Sequence, residues 1–136
     1  MCSIATESTF KFTNPLLKYL EFCLNDDFVV KPDKETVQLQ ARLDKSIQRD
    51  KNLNEATVDL SFEFGKKDAT SPFYIRAVET ESFKWADDVN EETLNRFLNQ
   101  NAPTLLLSYL RPVVVQITAS SKYGAYSIPF MNFTQS

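Results

Sequence analysis

The chain has 136 residues, of which 43% are hydrophobic and 24% charged, and its formal net charge is −3. This length predicts a single globular domain over residues 1–136, with residues 1–8 loose and enough material for a hydrophobic core. The absence of histidine excludes Ser-His-Asp and Cys-His catalysis, two glycines are too few for a phosphate-binding loop, and the acidic balance argues against nucleic acid.

The first residues carry neither a basic segment nor an apolar one, and no apolar run is as long as a membrane span. We therefore expect a cytoplasmic protein without stable membrane insertion. In that compartment Cys2 and Cys23 are expected to be free thiols, with a disulfide or a metal site as the alternative. No cofactor is predicted.

Alternating apolar residues predict a first strand from Thr9 to about Leu24. Pro15 interrupts this strand, and because proline is confined to edge strands and bulges, we place the strand at an edge of the sheet. Leu17 and Tyr19 make its opposite face apolar as well. An edge strand with two apolar faces tends to pair with another chain, so both residues are predicted to lie in an oligomer interface.

Three further strands show the same alternation. Odd-numbered apolar residues run from Val37 to Ile47 and even-numbered ones from Val58 to Phe64, each alternating with polar residues. The last strand begins near Phe73 and continues to Trp85. These strands predict a four-stranded antiparallel meander, and the helical pattern is confined to the last third of the chain. The predicted fold class is therefore α+β, with one long and one short helix on one face of the sheet.

Glu79 and Glu81 share one face of the last strand. Two such carboxylates are compatible with a hydrolase pair, which would need a cleft and shifted pKa values. No nucleophile or set of metal ligands lies near them in the sequence. We therefore interpret this face as solvated and predict that the protein is not an enzyme.

The helices are delimited by caps and prolines. Asp88 precedes Glu91 by three residues, which resembles a capping box at the start of the short helix. Pro103 suits the first turn of the long helix. Pro112 removes a backbone hydrogen bond, so the regular helix either begins near Ser108 or bends at the proline.

The long helix is apolar on more than one face. Its only charges are Arg111 and, at its end, Lys122, whereas a surface helix normally opposes its apolar stripe with a charged face. We therefore expect another subunit to cover it. The predicted contact residues are Leu106, Leu110, Val113, Val114 and Ile117.

The chain has more apolar residues than two layers with so few helical residues can comfortably bury. A large uncovered apolar patch indicates a binding surface, and an aromatic groove suits extended non-native chains. The alternative is that these residues form the core of one subunit. The predicted groove residues are Val37, Leu39, Phe83, Trp85, Phe97, Tyr109, Phe130 and Phe133.

After a strand-rich amino-terminal half, the run NAPTLLLSYLRPVVVQIT followed by SIPFMNF resembles the SecB family of export chaperones, from about Thr9 to Phe133. The resemblance implies an ATP-independent holdase for unfolded or precursor polypeptides, built as a homotetramer from two dimers. It also implies a crossover loop at residues 83–89 beside the client groove, and a helix at residues 105–121 packed between dimers.

Two departures bear on the SecA motor, the docking partner that the resemblance implies. The positions that match acidic docking residues of the family are Tyr19 and Cys23, with Glu21 between them, and the hairpin carries Lys66 and Lys67. Family members also continue into a last helix and an acidic tail. Both departures count against SecA docking. A dedicated adaptor or chaperone for one partner, such as an antitoxin, is the alternative to a general export factor.

Overall fold

The computed structural model describes residues 10–29, 41–129 and 133. One antiparallel sheet contains the strands β1 (Phe10–Lys11), β2 (Leu16–Leu24), β3 (Ala41–Asp50), β4 (Glu55–Gly65) and β5 (Phe73–Trp85). The helical elements that follow are α1 (Glu91–Arg96), a π-helical segment (Phe97–Asn101) and α2 (Ala102–Ala119). The predicted α+β class, with helices on one face of the sheet, is confirmed.

The strand order differs from a simple meander. β3, β4 and β5 are consecutive neighbours as predicted, but β1 and β2 both pair with β5. The first strand of the chain therefore lies beside the last, which is a Greek-key type of arrangement. The reason lies in β5, which has 13 residues and is largely buried along its length, so it needs a paired strand on each side.

The first strand is divided at its proline. Residues 12–15 have no regular structure and separate β1 from β2, because Pro15 has no N–H to donate to a ladder. A bulge follows between Leu17 and Tyr19. Among the described residues β2 pairs only with β5, so its predicted place at an edge of the sheet is confirmed.

The core lies between the sheet and α2. The even-numbered residues of β4 from Ala56 to Phe64 are buried and face the helix. Leu106, Leu110 and Val114 of α2 are each 0% exposed in a single copy of the chain. These three side chains are covered by the chain's own sheet, which corrects our expectation that a second subunit is needed to bury them.

The helix boundaries follow hydrogen bonding more than the sequence pattern. The side chain of Asn90, not of Asp88, caps α1 by accepting the N–H of Thr93 at 2.7 Å. α1 passes through the π-helical segment directly into α2, which has Pro103 in its first turn as predicted. Pro112 lies inside α2, so a later helix start near Ser108 is wrong.

Candidate functional site

Three of the predicted groove residues meet at one end of the sheet, and we call them the aromatic site: Phe83, Trp85 and Phe97. The rings of Phe83 and Phe97 are edge to face with their centroids 5.3 Å apart. Trp85 is the register partner of Phe10, whose ring stacks on Phe97 at 3.8 Å. Phe83 is 0% exposed, whereas Trp85 and Phe97 are half-buried.

The aromatic site is covered by two phenylalanines that the sequence interpretation did not assign to it. Phe10 stacks on Phe97, and Phe12 lies 5.1 Å from Phe83 and 6.3 Å from Phe97 between ring centroids. Phe12 itself is 47% exposed. The available signal was their even spacing in the first predicted strand, which shows that they share a face but not what that face contacts.

A charged pair borders the aromatic site. The guanidinium of Arg49 lies 5.8 Å from the Trp85 ring centroid and donates to Glu91 of α1 at 2.6 Å. This hydrogen bond lowers the pKa of the exposed Glu91 carboxyl. The Nε atom of Arg49 is buried without a partner among the described residues. β3, β5 and α1 are thus joined around the half-buried tryptophan.

The other predicted groove residues lie elsewhere or outside the described residues. The hydroxyl of Tyr109 donates to Asn14, between β1 and β2, at 3.0 Å. The ammonium nitrogen of Lys45 lies over the Phe133 ring, 5.9 Å from the centroid of that ring. Three further groove residues belong to undescribed segments: Val37, Leu39 and Phe130.

Glu79 and Glu81 point into the core instead of into solvent. They are 2% and 8% exposed and are the register partners of Leu60 and Val58. Glu81 accepts the Ser82 N–H at 2.7 Å and the Thr13 hydroxyl at 3.2 Å. The solvated-face interpretation is therefore wrong, because the twofold alternation of β5 places both carboxylates on its helix-facing side.

Glu79 differs from Glu81 in having no hydrogen-bond partner among the described residues. Burial alone raises the pKa of its carboxyl. Among residues 10–29, 41–129 and 133, no three His, Cys, Asp or Glu side chains form a group that could hold a metal. Cys23 is a free thiol in this part of the chain, and Cys2 lies outside it.

The second surface of interest is β2. Of the eight large apolar residues that are exposed in the described part of the chain, six lie between Phe12 and Leu24. They include the predicted interface residues Leu17 and Tyr19, at 44% and 43% exposure.

Within the described residues, no helix has both the length and the apolar character to cross a bilayer.

Known proteins resemble this chain in sequence and in fold. It is 30% identical over 125 residues to the uncharacterized protein MJ0357 of Methanocaldococcus jannaschii, covering 90% of this chain and 78% of that protein. The fold matches the SecB-like chaperone Rv1957 of Mycobacterium tuberculosis, in complex with a ChAD peptide from the Rv1956 HigA1 antitoxin. That match has a TM-score of 0.69, 13% identity, and coverage of 90% and 91% of the two chains. No family model matches the sequence.

Proposed function

Because this chain belongs to the same family as MJ0357 of M. jannaschii and has the SecB-like fold, we propose that it is an ATP-independent chaperone. In this proposal it is not an enzyme, and it holds unfolded or precursor polypeptides in the cytoplasm. Its clients are extended segments that contribute apolar side chains. A fold does not by itself specify a function, so the support for this proposal comes from the surfaces of this chain.

The aromatic site is the observation that supports client binding. It contains half-buried rings at the end of β5, and an extended segment already lies there as β1. Burial of apolar area contributes roughly 25 cal/mol per Å², and pairing with a strand adds backbone hydrogen bonds with little sequence preference. A holdase that accepts many non-native chains needs these two sources of affinity.

We propose further that the protein is a homotetramer, a dimer of dimers. The exposed edge of β2, with Leu17 and Tyr19, is the surface through which two copies would pair. Val113 and Ile117 are half-buried on the flank of α2 and are available for a second contact. The other three residues predicted for that contact, Leu106, Leu110 and Val114, would support the helix from inside.

The test uses Trp85, the single tryptophan of the chain. We expect the protein, without nucleotide, to suppress aggregation of a chemically denatured client, and its tryptophan emission to change on client addition. Trp85→Ser should weaken client binding about tenfold or more, since truncating a binding hot spot costs about 2 kcal/mol. Leu53→Ser, at a side chain 65% exposed in the turn between β3 and β4, is the control. Unsuppressed aggregation with the unmodified protein would refute the chaperone proposal.

A dedicated chaperone for one partner is the second candidate function. It is favoured by the fold match to a SecB-like chaperone that was solved with an antitoxin peptide. The two candidates differ in client range. A general holdase would protect a panel of unrelated denatured proteins, whereas a dedicated chaperone would protect its own partner and leave the panel to aggregate.

Docking of the SecA motor is not part of the proposed function. Glu21, on the outer face of β2, forms an ion pair with Lys67 and accepts the hydroxyl of Tyr19 at 2.8 Å. Arg76 lies over the Tyr19 ring, 5.1 Å from its centroid. On this face Glu21 is therefore paired with a cation, which does not favour docking of the SecA motor.

A further inference from the structure

β1 occupies the aromatic site as a bound segment would. Its residues pair antiparallel with β5, Phe10 opposite Trp85 and Lys11 opposite Lys84. Alternation directs Phe10 and Phe12 toward the rings of Phe97 and Phe83 and turns Lys11 to the other face. The segment thus combines the two features of strand addition, backbone pairing and alternate side chains in pockets.

β1 is held in the sheet less firmly than β2. Among the described residues, which begin at Phe10, β1 has two paired positions, whereas β2 has eight paired positions along the same strand. Residues 12–15 have no regular structure, so β1 can leave without disturbing the β2 ladder. The first anchors beyond β1 are the contacts of Thr13 with Glu81 and of Asn14 with Tyr109, which hold the start of β2 and not β1.

The middle residue of the segment opposes its own pairing. Lys11 lies directly opposite Lys84, and like charges at opposed positions destabilise an antiparallel pair. Lys84 has Glu55 as its partner on the other side, in β4. An acidic residue in the place of Lys11 would give Lys84 an opposite charge on both sides. The site is therefore better matched to a different segment than to the one it contains.

We propose that β1 is a displaceable self-inhibitory strand and that the polypeptide replacing it is an extended aromatic–acidic–aromatic segment. The two aromatic side chains take the positions of Phe10 and Phe12, and the acidic side chain faces Lys84. This inference rests on the proposed chaperone function and adds to it a preferred client sequence and an internal competitor. Clients gain access to the rings only when β1 leaves.

The client preference is tested with two fluorescein-labelled ten-residue peptides. They have the same serine–threonine background and differ in containing Phe-Glu-Phe or Phe-Lys-Phe. The full-length protein should bind the glutamate peptide roughly two- to fivefold more tightly, the range expected for opposed charge pairs in a sheet. In Lys84→Gln the preference should disappear. Equal affinities for the two peptides in the unmodified protein would overturn the proposed client sequence.

The self-inhibition is tested by strengthening β1. Lys11→Glu places an opposite charge against Lys84, so it should hold β1 in the site and weaken the binding of both peptides roughly two- to fivefold. Lys122→Glu makes the same charge change beyond the far end of α2 and should leave binding unchanged. Unchanged or tighter binding by Lys11→Glu would contradict displacement.

A reversible lock gives a second, independent measurement. Opposed residues of an antiparallel pair have Cα atoms about 4.5–5.5 Å apart, which suits a disulfide. The variant combines Lys11→Cys with Lys84→Cys in a Cys2→Ser, Cys23→Ser background. When its disulfide is oxidised, its affinity for the peptides should fall roughly tenfold or more, because few molecules then have β1 out of the site and can bind peptide. Reduction should restore binding. Equal affinity in both redox states overturns the inference, whereas unsuppressed client aggregation by the unmodified protein overturns the chaperone proposal itself.

Discussion

At the scale of single residues, Glu79 is a buried acidic side chain whose pKa is shifted by desolvation alone. Its side chain faces inward beside Leu60 and Leu17, with 2% of the residue exposed and no hydrogen-bond partner among the described residues. A buried carboxylate without a partner favours its neutral form, and desolvation raises its pKa above the ordinary value of 4.5. Glu81, two residues along, instead accepts hydrogen bonds from the Thr13 hydroxyl and the Ser82 N–H.

This raised pKa predicts how stability depends on pH. Between the pKa of the unfolded chain and the higher folded value, the native state keeps a proton that the unfolded state releases. The free energy of unfolding should therefore be highest below that window, fall as pH rises through it, and remain lower above it. We expect Glu79→Gln to gain stability relative to the unmodified protein at pH 7 but not at pH 4.

Urea unfolding midpoints at several pH values would measure this effect. Glu92→Gln, at a side chain 86% exposed in α1, makes the same change in net charge and serves as the control. A stability difference between Glu79→Gln and the unmodified protein that does not vary with pH would contradict the assignment. The sequence predicts that both glutamates lie on one face of β5. Whether that face points to the core or to solvent depends on which side of β5 the helices pack against.

At the scale of elements, α1 connects its N-cap residue, Asn90, to Phe97 of the aromatic site. Asn90 begins the helix, Leu94 is buried beneath it, and Phe97 follows its last residue directly. Arg49 of β3 ties the first turn to the sheet through Glu91. The position of the Phe97 ring therefore depends on where a helix of only six residues begins.

Asn90→Ala should lower the free energy of unfolding by about 1 kcal/mol, the typical cost of losing an N-cap side chain. It should also weaken client binding, because a frayed α1 no longer fixes Phe97. Asn90→Asp retains an acceptor and should behave like the unmodified protein. Asn95→Ala, at an exposed position of the same helix, is the matched control, and an equal loss of stability there would argue against a capping effect.

Predictability also varied among the elements. The alternation in β4 and β5 was sufficient for their assignment because each strand buries one face along its length. The cap at Asn90 and the continuity of α1 with α2 were missed. Asp88 and Asn90 are both good N-cap residues, and only the hydrogen bond to Thr93 distinguishes them.

At the scale of the whole molecule, the apolar surface along β2 is the feature that the described residues of one copy leave exposed. Exposed edge strands pair with other chains unless they are protected, and the same strand in a second copy offers a self-complementary partner. The core of a single copy is otherwise well covered, since the helix residues Leu110 and Val114 are 0% exposed.

We therefore expect light scattering to give a mass several times the 15.6 kDa of one chain. Leu16→Asp should lower this mass, because a carboxylate at the β2 contact would be desolvated by pairing. Leu53→Asp should not, although the two leucines have similar exposures of 67% and 65%. A single-chain mass for the unmodified protein would contradict assembly through β2.

By itself the sequence determined the α+β class, the edge position of the first strand, the alternation of three strands and the run of helix at the end. These are local properties, because the period of apolar residues and the place of a proline are expressed within one element. Only the tertiary structure decided that β2 lies beside β5, that Glu79 and Glu81 face the core, and that Phe10 and Phe12 cover the aromatic site. Each of these depends on contacts between residues distant in the chain, whose free energies no local period encodes.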